Sequence, residues 1–592
     1  MDGIDRRRLL RGAAALGGTA AAASLFPGWA SAATPGLSAS PGALSGEEIA
    51  LTVGHVPFQL GRRRGHAVGL NGTVPGPLLR LKEGQAVRIA VTNALDEDTS
   101  IHWHGLLVPY TMDGVPGLSF PGIRPGETFV YEFPVRQAGT YWYHSHSGMQ
   151  EQMGHYGPIV IDPAGADPVA FDREHVVVLS DYSFLHPHTL MTRLKQQPGY
   201  FNRRKQTLAG LLAGRDQPLK DRLAWARMRM DPTDISDVTG AVYTFLVNGH
   251  GPEANWTALF APGERVRLRF VNAGAMTIFN VRIPGLPLSV VQADGQDVRP
   301  VEVEEFQIAP AETYDVIVQP REDRAFTLVA EAADRSGMAR ATLAPRAGMT
   351  AEVPPLRPRP ILTMKDMGMD MSGMGSMDMS HMDHAAMDHS AMGHDMPAMD
   401  HAAMGHSMKM RDPANAPGVE MGPGVQMISP MPKDRTGEPG TGLEDVGHRV
   451  LVYADLAALE PNPDPRPPAR TVEIHLTGNM ERFMWAFDGV AFGPLKKPIA
   501  FSRDERVRVV LVNDTMMSHP IHLHGHFFEV VVGEAGRRPR KHTVNVLPGG
   551  KVSFDLTADA PGDWAFHCHM LLHMHAGMFA VVKVRPLDGE AA

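Results

Sequence analysis

The sequence predicts an all-β protein made of three related domains, and three observations carry that prediction. The pattern Val-Arg-x-x-x-x-Asn recurs at Val87 to Asn93, Val266 to Asn272 and Val507 to Asn513. Each copy lies in an alternating, β-branched stretch that reads as a strand. A chain of 592 residues is too long for one core, and length alone implies three or four domains. Gly 60 and Pro 49 favour turn-rich β structure. The net charge of −9 gives no electrostatic footprint for nucleic acid, which sets that class of partner aside.

Residues 1–32 read as an export signal. Asp5-Arg6-Arg7-Arg8-Leu9-Leu10-Arg11 precedes a small, apolar, uncharged run from Gly12 to Trp29, and Ala30-Ser31-Ala32 offers a cleavage site before Ala33. Twin-arginine export carries folded proteins, which suits a cofactor-containing enzyme in the periplasm. The run is rich in alanine and glycine and short for a stable span, and no second long apolar run follows, so no stable membrane insertion is expected. Cys568 is the single cysteine, so the chain forms no internal disulfide and its stability must come from packing.

The first domain is expected over residues 45–165. Nine residues after Asn93 comes His102-Trp103-His104, and nineteen residues after Pro125 comes His144-Ser145-His146. On a strand, His-x-His places both imidazoles on one face, about 7 Å apart. The second domain is expected over residues 170–350. At the same offsets it carries Val281-Arg282-Ile283 and Val329-Ala330-Glu331, so this copy is disarmed and reads as a spacer. Within it, residues 190–230 hold ten Lys or Arg against Asp216 and Asp221. Thr207 to Gly214 and Lys220 to Met230 have helical character on either side of Pro218, so this insertion reads as a solvated helical excursion.

Residues 362–432 precede the third domain. Between Met364 and Met410 lie fifteen of the 35 methionines, with recurring Met-Asp-His units. Met382, His384, Met387, His389, Met392, His394, Met399, His401, Met404 and His406 are the candidate accessory ligands. Thioethers are neutral and soft, so they select Cu(I) over harder ions. With few bulky aliphatics the stretch cannot build a core of its own, and it is expected to be disordered without metal.

The third domain is expected over residues 445–586. His522-Leu523-His524 stands nine residues after Asn513, and His567-Cys568-His569 begins nineteen residues after Pro548, followed by His573 and Met578. A thiolate, imidazoles and a weak thioether are the ligand set of a blue copper centre, and His519 can supply the second imidazole. Neighbouring strand residues face opposite ways, so while Cys568 holds one metal, His567 and His569 face another. The four His-x-His pairs are divided equally between the first and last domains. A shared cluster must therefore lie where those domains meet.

These motifs carry a resemblance that covers essentially the whole mature chain. Through His102-Trp103-His104-Gly105, Trp142-Tyr143-His144-Ser145-His146, His519-Pro520-Ile521-His522-Leu523-His524-Gly525 and His567-Cys568-His569 to Met578, the chain resembles three-domain multicopper oxidases, in particular the periplasmic copper-resistance protein A group. The resemblance implies three cupredoxin-like Greek-key β-sandwich or barrel domains. It implies four catalytic coppers: type 1 on His519, Cys568, His573 and Met578; type 2 on His102 and His522; and a type 3 pair on His104, His144 and His569 and on His146, His524 and His567. It also marks Asp113 as the acid that serves the cluster. Some relatives place a glutamate just after the position of His573, where this chain has Met574 and His575. His526 is expected beside the cluster without being a ligand.

The implied activity is oxidation of Cu(I) coupled to reduction of dioxygen to water, for copper resistance. Phenols are an alternative substrate class, as in laccases, and copper sequestration is an alternative of another kind. A periplasmic copper donor protein is an expected partner, and extra Cu(I) in the methionine-rich segment an expected ligand.

Overall fold

The computed structural model describes residues 42–369 and 409–587. The export signal and the accessory candidates Met382 to His406 lie outside the described residues.

Each of the three repeats folds as two facing β-sheets. The repeated Val-Arg pattern forms the strands Ala86–Asn93, Val266–Asn272 and Arg506–Asn513. Each runs parallel to a preceding strand and antiparallel to a following one, the same arrangement three times. The asparagine that ends each copy is fully buried. Its side-chain amide donates to two backbone carbonyls, as in Asn513 to Met517 and Val546, which ties the strand end to the loop leading to the histidines.

In the first domain the strand His102–His104 pairs antiparallel with Gly139–His144, with His102 opposite His144. In the third, His519–Leu523 pairs with Gly562–Cys568, with His522 opposite His567. The corresponding strands of the middle domain, Phe279–Arg282 and Phe326–Ala332, pair with Val281 opposite Ala330. Not all of the disarmed positions are apolar. Arg282 donates to Glu331 at 3.1 Å, and Arg335 and Arg357 close a buried ion cluster around Glu331 and Glu305.

The cores of the second and third domains are continuous, whereas the first has its own, into which Phe527 of the third domain packs. The insertion is helical at Leu208–Leu212 and Leu219–Arg227, and an earlier helix at Pro187–Gln196 starts with proline in its first turn. The insertion is not a solvated excursion, because Leu190, Leu194, Phe201 and Trp225 are buried in the core. The described ends of the methionine-rich segment are packed: Met367, Val425, Met427 and Ile428 are buried. Among the described residues no helix is long and apolar enough to cross a membrane.

Candidate metal centres

The eight paired histidines converge at the junction of the first and third domains. Ligand atoms within 4.8 Å of one another form the groups His102, His104, His522; His104, His144, His569; and His146, His524, His567. Rings from opposite domains stack face to face, His102 on His524 and His104 on His522, each at 3.8 Å.

The outer nitrogens fix which lone pairs point inward. His102 Nδ1 donates to Asp113 O at 2.7 Å, His522 Nδ1 to His542 O at 2.7 Å and His567 Nδ1 to Cys568 O at 3.0 Å. His524 Nδ1 donates to Asp113 Oδ2 at 2.8 Å. His104 is turned the other way, with Nε2 beside Thr543 Oγ1 and a buried Nδ1 without a partner. With their Nδ1 protons so engaged, His524 and His567 face each other through two unprotonated Nε2 atoms only 3.0 Å apart. His569 and His144 also approach Nε2 to Nε2, at 3.3 Å, but His569 Nδ1 has no hydrogen-bond partner, so only the His524–His567 pair sets lone pair against lone pair. Two lone pairs this close repel unless a cation lies between them. Burial, with repulsion from neighbouring imidazoles, pushes His104, His146, His522, His524 and His569 well below the usual histidine range, and burial does the same to His144. These rings are therefore held neutral, the form that binds metal. The donor set fits copper, for which imidazole is a suitable ligand.

A second, smaller group lies within the third domain. Cys568 Sγ lies 3.6 Å from His519 Nδ1 and 3.7 Å from His573 Nδ1, and those two nitrogens are 3.2 Å apart. The vertices of that triangle all lie about 2 Å from its centre, close to metal–imidazole bond length. The backbone holds the remaining candidate beside it, since Cys568 N donates to Met578 O and Met578 N to His573 O. Met578 is fully buried. Trp485 stacks on His573 at 4.0 Å, and burial pushes the His573 imidazole down to about 3.

Two buried carboxylates bridge the first and third domains at the histidine cluster. Asp113 Oδ2 binds His524, while its Oδ1 lies 3.3 Å from His102 Nδ1. Glu151 is the counterpart that the sequence did not reveal: Oε2 lies 2.8 Å from His144 Nδ1, and Oε1, without a hydrogen-bond partner, lies 3.9 Å from His569 Nδ1. Its place five residues after His146 was the only signal. The middle domain, expected to be a spacer, contributes directly. Asp237 Oδ2 accepts from His573 Nε2 at 2.6 Å, and burial pushes that carboxyl up to about 7. Asp181 gathers the backbone N–H groups of Ala275, Met276 and Thr277, and the Ala275 carbonyl receives Leu571 N two residues before His573.

His526 is buried and donates to His524 O at 3.0 Å, beside the cluster as expected. His575 is hydrogen-bonded to Gly148 O, joining the third domain to the first.

Comparison with known proteins agrees with this geometry. Multicopper oxidase family models match residues 52–166, 216–348 and 465–588. The chain is 50% identical to copper resistance protein A of Pseudomonas syringae pv. tomato, over 98% of this chain and 99% of the relative. It is 48% identical to copper resistance protein A of Escherichia coli, over 91% and 93%. The fold is shared with Fet3p, a multicopper oxidase that functions in iron import, at a TM-score of 0.62 and 19% identity over 92% of this chain and 91% of that one. The chain therefore belongs to the multicopper oxidase family, within the copper resistance protein A group.

Proposed function

We propose that the chain is a periplasmic copper oxidase that couples one-electron oxidation of Cu(I) to four-electron reduction of dioxygen to water, in defence against copper. The observation that carries this reading is the tripeptide His567-Cys568-His569, whose centre belongs to one ligand group and whose two flanks belong to two neighbouring groups of the histidine cluster. Type 1 copper is assigned to His519, Cys568, His573 and Met578, type 2 to His102 and His522, and the type 3 pair to His104, His144, His569 and His146, His524, His567. Bound copper supplies one-electron transfer at the cysteine site and the four-electron chemistry of oxygen at the cluster.

The protein's own part is positional. Cys568 joins the two centres through a few covalent bonds. Asp237 fixes the tautomer of His573 by accepting its Nε2 proton, so that Nδ1 is free to bind metal. Asp113 orients His524 from the opposite domain, with its buried Oδ1 3.3 Å from His102 Nδ1, and is assigned as the acid that serves the cluster. Seven of the eight cluster histidines are buried, and His146 is half-buried. The Met-Asp-His units are assigned to Cu(I) capture, on the softness of their donors. Export by the twin-arginine route is assigned from the arginine-led leader of residues 1–32.

The test is oxygen consumption by the copper-loaded mature protein, with stabilised Cu(I) and a simple phenol side by side. A clear preference for Cu(I) supports the reading. A preference for the phenol would make the protein a laccase, and copper resistance that survives Cys568→Ser would make it a sequestering protein.

A further inference from the structure

The middle domain reaches the histidine cluster through one turn. Strands Leu288–Ala293 and Gln296–Val303 form a hairpin closed by Asp294-Gly295, both in the left-handed region at φ 49° and 71°. An Asp-Gly pair suits such a two-residue turn, and Asn-Gly suits it equally. The turn alone therefore does not explain a carboxylate at this position.

The hydrogen bonds of Asp294 do. The side chain is fully buried. Its Oδ1 accepts from Thr313 N at 3.1 Å and faces Lys541 Nζ at 3.1 Å. Its Oδ2 accepts from His542 N at 3.2 Å and Thr543 N at 3.1 Å. Four donors converge on two oxygens, and three of them belong to the third-domain segment Lys541-His542-Thr543. That segment touches the cluster: His542 O accepts from His522 Nδ1 at 2.7 Å, and Thr543 Oγ1 lies 3.2 Å from His522 Nδ1 and 3.4 Å from His104 Nε2. On its other side the turn is wedged against the first domain. A Cβ at Gly295 would sit 2.3 Å from the Tyr141 ring, and one at Gly139 would sit 2.2 Å from Gly295 O.

We propose that Asp294 is a positioning residue for the type 2 site, pinning residues 541–543 so that they hold the imidazoles of His522 and His104 in the orientation that binds copper. This rests on the ligand assignment made under Proposed function. Lys541, fully buried and also 3.2 Å from Glu312, neutralises the carboxylate and makes its burial tolerable.

Asp294→Asn tests this, because asparagine keeps the turn but presents an N–H group where one acceptor stood. The expected result is about ten- to hundredfold weaker retention of one copper per chain, the range seen when partners of metal ligands are removed. Copper per chain by mass spectrometry should fall by one, and the type 2 electron paramagnetic resonance signal should be lost. The blue absorption of the cysteine site should be unchanged. Hydrogen exchange in the apoprotein should rise at residues 542 and 543. Asp294→Asn/Lys541→Met removes the stranded lysine charge and should keep the defect.

Wild-type copper content and signal in Asp294→Asn would overturn the inference, as would recovery in the double variant. Loss of the blue absorption together with the type 2 signal would also overturn it, by showing a general folding defect. If the wild-type protein itself lacks a type 2 signal, the ligand assignment fails instead, and unchanged exchange at 542 and 543 in Asp294→Asn would still refute the pinning.

Discussion

Replacing Glu151 with alanine removes the carboxylate that lies against His144 and His569 across the domain junction. The consequence can be worked from its contacts. His144 Nδ1 keeps a second acceptor, Ser145 O at 2.9 Å, so the substitution strands no buried donor and avoids the full penalty of an unsatisfied group. What is lost is one contact at 2.8 Å to a carboxylate and a more distant one at 3.9 Å. Burial already pushes the Glu151 carboxyl well above its usual range, which weakens its charge. Removing such a partner costs about ten- to hundredfold in metal affinity, and these considerations place Glu151→Ala at the lower end, about tenfold or 1.4 kcal/mol. Glu151→Gln, which keeps an acceptor for His144, should lie nearer wild type. The assay is a competition titration with a copper chelator, following copper per chain and the blue absorption together. The type 3 pair should be retained less well while the blue band persists. Unchanged affinity in Glu151→Ala would refute the reasoning, and parallel loss of the blue band would show a structural role instead.

Other outcomes follow from the same geometry. Asp237→Ala strands the buried Nε2–H of His573, so the blue absorption should shift and Cu(I) oxidation should slow, with the copper count of the histidine cluster unchanged; loss of cluster copper would argue otherwise. Asp113→Asn should slow turnover with copper content intact, and loss of copper would mean a structural role. Deleting residues 370–408, which spares the packed Met364 to Met369, should weaken Cu(I) oxidation far more than phenol oxidation; equal losses would remove the segment from substrate capture. Burial opposes the charge on His475, but the hydrogen bonds it donates to Asp514 at 2.7 Å and Glu473 at 3.2 Å outweigh it and raise its pKa from 6.5 to about 9. A raised pKa stabilises the fold fully below pH 6.5, and the contribution is lost as pH rises through 9. The thermal midpoint should fall over that window in wild type and fall less in His475→Gln.

The histidine cluster was legible because its signal is local. The His-x-His pairs and their offsets of nine and nineteen residues are set by strand period and loop length, both written in the chain. The grouping around each metal came from the family resemblance; the structure brings His104, His144, His569 and His146, His524, His567 within reach of one another, and sets His104 beside His102 and His522 as well. What stayed hidden depends on tertiary packing. Asp237 and Asp294 reach third-domain partners far away in sequence, Asp237 His573 at a separation of 336 residues, and nothing in their own neighbourhoods marks them, while Glu151 is near His144 in sequence but meets His569 only through packing. The ion cluster of Arg282, Glu305, Glu331, Arg335 and Arg357 was hidden for the same reason, although two of its members stood in the tripeptides read as empty. The helix Pro187–Gln196 was missed at the edge of the insertion despite proline in its first turn.

The measurement closest to the central claim is the ratio of Cu(I) oxidised to dioxygen consumed by the copper-loaded protein, with hydrogen peroxide assayed in the same vessel. A cysteine site wired to a three-metal cluster predicts four Cu(I) per dioxygen and no peroxide, the balance of complete reduction to water. Two Cu(I) per dioxygen with accumulating peroxide, or Cu(I) bound with no oxygen consumed, would contradict it.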